Sequence, residues 1–271
     1  MKINRFSIIN LVLLAIIILL CAVPTLITSY DPNEISLTER FAQPSMLHPF
    51  GTDDMGRDIL SRVLYGGRVT IFSALLITIG SMLIATIWAG SSSYLGGWLD
   101  EMMTRVVDGL MNIPALLFAL ILISIFRPGM MSLILSLMLI RWADDAKILR
   151  GHMLGLIRSE FVLAAISIGS THGRILRKEL FPNSSFLILT LFGLNFTSNI
   201  LSIASLNFLG FGVQLPDAEW GAMINQARPF LQTQPYMMLF PGLAILLTII
   251  SAQFAFQFMA KNHHVEEVRY L

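Results

Sequence analysis

The residues with which this 271-residue chain could do chemistry are its scattered carboxylates, histidines and amides. Carboxylates concentrate in "GTDDMGRD" (51–58), where Asp53, Asp54, Arg57 and Asp58 stand together. A calcium loop of the EF-hand kind needs oxygen ligands at alternate positions before its glycine, and Met55 occupies one of them. His263-His264 followed by Glu266-Glu267 invites a metal-site reading. Adjacent histidines diverge on any regular element, however, and transition metals want three or four ligands from rigid positions. His48, His152 and His172 are far apart in the chain, so no metal set is expected. A membrane hydrolase would need a nucleophile and a base within reach, yet no histidine falls in an apolar run and G-x-S-x-G is absent. The G-x-x-x-x-G-K-[ST] phosphate loop is absent too, so any ATP site belongs to another chain. What remains are amides and hydroxyls in apolar surroundings: Asn112, Asn195, Ser198, Asn199, Ser202 and Asn207. Asn195, Asn199 and Ser202 stand at i, i+4 and i+7 and share one helix face. Polar groups at membrane depth mark either a transport path or hydrogen bonds between helices; Asn207 fits the second reading better.

The elements that must carry these residues are apolar helices. Hydrophobic residues make up 55% of the chain and charged ones 13%, with a mean hydropathy of +0.72; a soluble domain carries about 25% charged residues. A net charge of +1 gives no reason to expect nucleic-acid binding, and the single cysteine, Cys21, allows no internal disulfide. Charge is absent from 6–30, 69–99, 109–126, 128–140, 180–216 and 229–260. A spanning helix needs about 20 apolar residues, which predicts an all-α membrane protein of six spans near 8–29, 69–91, 107–126, 130–147, 186–207 and 237–259. Arg127-Pro128-Gly129 reads as a tight turn between the third and fourth. The first run exceeds a signal-peptide core and lacks an A-x-A-like site, so it is expected to stay as an anchor. The resulting organisation is an anchor helix (1–30), an extracytoplasmic loop (31–68), a five-helix core (69–260) with a cytoplasmic loop at about 148–185, and a cytoplasmic tail (261–271). Placing both termini inside puts twelve of the 18 Lys and Arg residues on the cytoplasmic side, as the positive-inside rule prefers.

One cytoplasmic segment stands out, "EFVLAAISIGSTHGRILRKELFPN" (160–183). Glu160 suits the start of a short helix, Gly169 its C-terminal cap, and Thr171 the start of a second helix. That second helix, with Arg174, is expected to stop before Pro182. Ile166 and Ile168 would then be exposed as a docking surface.

Leu163, Ala164, Ala165, Gly169 and Pro182 have the spacing of the EAA loop of ABC-importer permeases and resemble it, although Leu163, Glu179 and Phe181 replace its usual Glu, Ile and Leu. "HPFGTDDMGRDILSRVLYGGRVTI" (48–71), "YLGGWLDEMMTRVVDGLMNIPALLFAL" (94–120) and "SLNFLGFGVQLPDAEWGAMINQAR" (205–228) resemble the dipeptide, oligopeptide and nickel permeases. "EWGAMINQARPFLQTQPYMMLFPGLA" (219–244) and "EFVLAA" look closest to the nickel and metal–metallophore branch. The resemblance implies a type I permease fold and one of two homologous permease subunits sharing a pore. It implies two cytoplasmic ATPases carrying ATP and Mg, which grip the loop holding Glu160, Leu163–Ala165, Gly169, Arg174 and Pro182. It also implies an outer substrate-binding protein, for which Asp53, Asp54, Arg57, Asp58, Asp217, Glu219 and Trp220 are candidate contacts. The path would run past Asn112, Asn195, Asn199 and Ser202. No cofactor is expected on this chain. The cargo implied is nickel or a related divalent metal (Co, Zn) on a small chelator, with peptides as the alternative; a stand-alone secondary transporter would instead need ionisable residues at midplane.

Overall fold

The computed structural model describes the backbone of residues 5–270 and the side chains of residues 7–261. Among these the structure is helical, with one isolated bridge, Thr52 to Asp58. In order come α1 (Arg5–Ala22), α2 (Ile59–Leu95), α3 (Gly97–Met111), α4 (Ala115–Phe126), α5 (Met130–Ile157), α6 (Glu160–Ser167), α7 (His172–Ile175), a π-helical turn (Leu176–Leu180), α8 (Phe181–Asn183), α9 (Ser185–Phe208), α10 (Trp220–Ala227) and α11 (Tyr236–Tyr270). The tail expected at 261–271 therefore begins as a continuation of α11, and the side chains of the His263-His264 and Glu266-Glu267 pairs lie outside the described residues.

Helix α2 is the hub. Asp58 caps its first turn by accepting from Ser61 N at 2.7 Å, and Gly96 and Gly97, both at positive φ, end it. It packs along its length against α5 and α9, while α11 covers α9 and α1. Small residues set the spacing: Ala74, Ala85 and Ala89 are fully buried on α2, facing Leu133, Leu137, Trp142 and Leu149 of α5 and Ile200 and Ile203 of α9 in two apolar clusters. Without a hydrophobic drive inside a bilayer, such close packing of small against large side chains is what holds helices together.

Each of the six charge-free runs is helical over most of its length, but their lengths differ from expectation. The first run ends at Ala22, where Pro24 opens a short 3-10 turn. The run expected at 107–126 is two helices, α3 and α4, bent by 86° at Asn112-Ile113-Pro114. Proline biases the residue before it away from the helical region, and α3 spends its polar face on α5 rather than continuing as a straight apolar rod. By length and composition α2, α9 and Tyr236–Lys261 of α11 can each cross a membrane; the bent α3–α4 pair makes a fourth if counted as one span. Helix α5 is long enough but carries Arg141, Asp144, Asp145, Lys147 and Arg150 from its middle onward. The expected turn at Arg127-Pro128-Gly129 is present, with Arg127 at φ 73° and Gly129 N donating to Phe211 O at 3.2 Å.

The loops gather at two ends of this bundle. Residues 23–58 and 209–235 fold over one another at one end, and α6 to α8 sit at the other, against Tyr94, Leu156 and Ile157.

Candidate functional site

The α6–α8 segment is a rigid bracket with one greasy outer edge. Glu160 lies in the first turn of α6. The helix ends in a Schellman pair of bonds: Gly169 N donates to Ile166 O at 2.9 Å and Ser170 N to Ala165 O at 3.1 Å. Gly169 has φ 77°, the left-handed region that favours glycine. Thr171 occupies the N-cap position of α7 in extended conformation, but its side chain makes no capping bond. Pro182 does not stop the helix as expected. The π-helical turn just before it brings Phe181 N to Leu176 O and moves the ladder past the missing N–H, so Ser184 N resumes bonding to Leu180 O at 3.0 Å. Val162, Ile175 and Leu180 anchor the bracket, each at most 1% exposed. Outward project Phe161, Leu163, Ile166 and Ile168, the last 80% exposed, together with Arg174, Arg177 and Lys178.

Directly behind the bracket an ion-pair clasp joins three helices. Arg150 of α5 grips Asp100 of α3 with both arms, Nε to Oδ1 at 2.7 Å and Nη2 to Oδ2 at 2.5 Å, and Ser92 of α2 bonds to both partners. Lys147 and Asp108, at 2.6 Å, repeat the α5–α3 link two turns along α3. A bidentate charge-assisted pair that is mostly shielded contributes more than an open surface pair. Asp100→Ala is expected to lower stability by about 1.5–3 kcal/mol. With Arg150→Ala the double variant should lose clearly less than the sum of the singles. Thermal unfolding of the purified protein in detergent reads this, and additive losses would show that the clasp carries no coupling.

At the opposite end the charged motif is an internal scaffold. Asp53 Oδ1 accepts from Met55 N and Arg57 N, closing a turn that needs Gly56 at φ 74°. Its Oδ2 takes Arg57 Nε at 2.7 Å and Arg62 Nε at 3.5 Å. Arg62, 1% exposed, donates to Pro32 O at 2.8 Å, Pro216 O at 3.3 Å and Gln226 Oε1 at 3.3 Å, so one guanidinium ties α2 to both loops. Asp58 also holds His48 Nδ1 at 2.9 Å. Trp220 Nε1 donates to Val63 O at 2.8 Å. Of the seven residues expected to meet a binding protein, Asp53, Arg57, Asp58, Glu219 and Trp220 are thus buried; Asp217 is exposed and Asp54 half-buried. Burial follows from pairing, because each carboxylate of the turn already has a donor.

Glu219 is fully buried at the N-cap of α10, accepting from Ala222 N at 3.0 Å and from the Thr70 hydroxyl at 2.8 Å. Burial pushes its carboxyl up to about 7, against the lowering effect of those bonds. An unfolded chain would release this proton near the ordinary glutamate value, so between there and about 7 the native state binds more protons. Stability is therefore expected to fall as pH rises through that window. Glu219→Gln keeps the cap and should flatten the profile. Melting temperatures of both proteins from pH 4.5 to 8 test it; parallel profiles would assign the pH dependence elsewhere.

The amide stripe is engaged between helices. Asn195 Nδ2 donates to Asp145 Oδ2 at 2.7 Å, Asn199 Nδ2 to Thr78 Oγ1 at 3.0 Å, and Ser202 Oγ accepts from Arg141 Nη2 at 2.6 Å. Asn112 stays apart, exposed at the α3–α4 bend and donating to Asp108 O at 2.8 Å. Arg141 and Asp145 are not among the expected path residues; their four-residue spacing directly after eleven uncharged residues of α5 is the signal that could have found them. Among the described residues no group of three or more His, Cys, Asp or Glu could hold a metal ion.

Residues 81–263 match the family model described as the binding-protein-dependent transport system inner membrane component. The dipeptide transport system permease protein DppC of Alkalihalophilus pseudofirmus is 32% identical over 250 residues, 92% of this chain and 82% of that protein. The oligopeptide transport system permease protein OppC of Bacillus subtilis is 34% identical over 246 residues, 91% and 81%. The nickel transport system permease protein NikC of Escherichia coli K12 is 32% identical over 249 residues, 92% and 90%. Among solved structures, the MetNI methionine ABC transporter in inward-facing conformations superposes with a TM-score of 0.58 at 16% identity, over 71% of this chain and 94% of that one, a likeness of fold. The all-helical bundle is thus a type I importer permease fold, and the chain belongs to the binding-protein-dependent inner-membrane components, the permease subunits of ABC importers.

Proposed function

We propose that this chain forms half of a translocation pore together with a second, homologous permease subunit, and that its cargo is nickel or a related divalent metal carried on a small chelator. An outer binding protein delivers the cargo, and two cytoplasmic ATPases, which hold ATP and Mg, drive the cycle. Both termini then lie on the cytoplasmic side of the cell membrane, with lipid around the bundle. The observation that carries the mechanical part is the exposed edge of Phe161, Leu163, Ile166 and Ile168 on a bracket whose other face is buried. Exposed apolar residues of this size, flanked by Arg174, Arg177 and Lys178, suit a protein partner. The bracket is fixed to α2, α5 and α9, so pushing on it moves the helices that form the bundle core.

The metal reading is supported by the 219–244 segment, which looks closest to the nickel and metal–metallophore branch, and by the nickel permease among the relatives at 32% identity. Peptide import is the second reading, favoured by peptide permeases at equal or higher identity. Metal content by mass spectrometry, in cells with and without this gene under metal restriction, separates them. A fall in nickel, cobalt or zinc with normal growth on peptides supports the first reading. Unchanged metals with lost growth on peptides moves the cargo to the second.

A further inference from the structure

Eleven apolar or hydroxyl residues of α5 are followed by Arg141, Asp144, Asp145 and Lys147. At about 1.5 Å per residue Arg141 lies ~17 Å and Asp144 ~21 Å along the helix from its start, distances shorter than the roughly 30 Å thickness of a hydrocarbon core. These charges are not neutralised as a compact set. Arg141 and Asp145, one turn apart, would ordinarily pair with each other. Instead Arg141 is turned to Ser202 and Asp145 to Asn195, seven residues apart on α9. Lys147 is taken by Asp108. Asp144 is exposed and has no hydrogen-bond or salt-bridge partner among the described residues.

Two buried atoms between these helices are also unsatisfied, Arg141 Nε and Asn199 Oδ1. Asn199 is 0% exposed and sits on α9 between the two residues that hold Arg141 and Asp145. Its orientation is fixed by bookkeeping of protons. The Thr78 hydroxyl donates to Ala74 O at 2.7 Å, so it can only accept from Asn199 Nδ2, and the Asn199 carbonyl is the group left over. A spare donor, a spare acceptor and an open carboxylate at this depth are costly next to lipid. The exposed Asp144 carboxylate is consistent with a surface that meets water and a polar solute, and the two buried atoms lie behind it.

We propose that the α5 face bearing Arg141 and Asp144, backed by the buried Asn199 and Ser202 of α9, lines the water-filled path and selects an ionised cargo, Arg141 receiving a carboxylate and Asp144 an ammonium or other cationic centre. This rests on the importer reading. Amino-acid-built chelates and short peptides both carry such groups, so the site fits either cargo and works against neutral solutes.

The test begins with thiol accessibility in cells expressing the complete importer. Cys21 is the sole cysteine, so Cys21→Ser gives a clean background for Asp144→Cys and for Leu139→Cys, an exposed apolar position on another face of α5. A charged, membrane-impermeant methanethiosulfonate is applied to whole cells and to inverted vesicles. The position 144 thiol should react, from one side or the other, while the position 139 thiol stays unreacted in lipid. Absence of labelling at 144 from both sides, or equal labelling at 139, overturns the lining. Selection is read by uptake of radioactive nickel supplied with free histidine and of radiolabelled dialanine. Arg141→Gln should reduce uptake of the imported probe about tenfold, while Arg141→Lys, which retains the charge, keeps most of it. Equal uptake by the two variants, whether high or low, overturns the charge assignment. If the unmodified importer accumulates neither probe, the cargo reading fails separately, and the labelling contrast still decides the lining.

Discussion

Gly169→Pro is expected to abolish uptake while the protein still reaches the membrane. Gly169 holds φ at 77°, and proline is locked near −65°. Proline also removes the N–H that bonds Ile166 O at 2.9 Å and displaces the Ser170 to Ala165 bond beside it. The local cost is about 3 kcal/mol or more. It stays local, because nothing lies within 4 Å of the position a Cβ would take at Gly169, and the neighbouring Ile168 is 80% exposed. The bundle therefore survives, but α6 and α7 no longer meet at a fixed angle and the Phe161–Ile168 edge loses its shape. A graded series sharpens the expectation. Asn tolerates the left-handed region better than Ala, so uptake should fall in the order Gly, Asn, Ala, Pro, while the amount in the membrane stays constant. Uptake by the proline variant at the level of the unmodified protein would remove the bracket from the mechanism. Co-purification of the ATPases, measured in the same series, should decline in step.

How far the sequence discloses such features depends on whether the determining interaction is local. Charge-free runs disclose the helices because a spanning segment must satisfy its own backbone bonds. Glu160 and Gly169 disclose the ends of α6 because dipole and left-handed cap act within one turn. The i, i+4, i+7 spacing places Asn195, Asn199 and Ser202 on one face of α9, although which helix they bond to is not in the pattern. Three features escape for physical reasons. The 86° bend at Asn112–Pro114 requires α3 to leave its apolar course for Arg150 and Lys147, which are 50 and 39 residues away from their partners. Continuation through Pro182 requires a π-helical turn, a rearrangement of the hydrogen-bond ladder that no residue type announces. The burial of Asp53 and Arg57 requires Gln226 to arrive from α10 and accept from Arg57 and Arg62, and Asp58 is closed off by His48; without these partners the motif reads as a charged loop open to a partner.

The largest effect on assembly should come from Gly221→Ala. Here α10 crosses α9 backbone to backbone. A Cβ on Gly221 would lie 2.0 Å from Ala204 O and 2.6 Å from Ala204 Cα, atoms that cannot swing aside as the tip of a side chain can. Relief requires α10 to move bodily, and α10 begins with Glu219 and Trp220, which are bonded to Thr70 and Val63 of α2. Gly67 closes the same wedge from the other side, since a Cβ there would meet Cys21 Sγ at 2.5 Å and the Trp220 ring at 2.6 Å. One added methyl at 221 thus strains the junction of α2, α9, α10 and the loop that Arg62 gathers. Overpacking in a side-chain core costs roughly 1–3 kcal/mol; a backbone collision should exceed that and leave little protein in the membrane. Gly67→Ala should be milder, because a sulfur and a ring edge can shift. Gly109→Ala and Gly242→Ala, where a Cβ meets nothing within 4 Å, are the controls and should match the unmodified protein. Membrane abundance by immunoblot and melting temperature in detergent should rank the four variants in that order. Normal abundance of Gly221→Ala would mean that α10 is free to move away from α9, and that the wedge of Trp220 against α2 does not hold this end of the bundle closed.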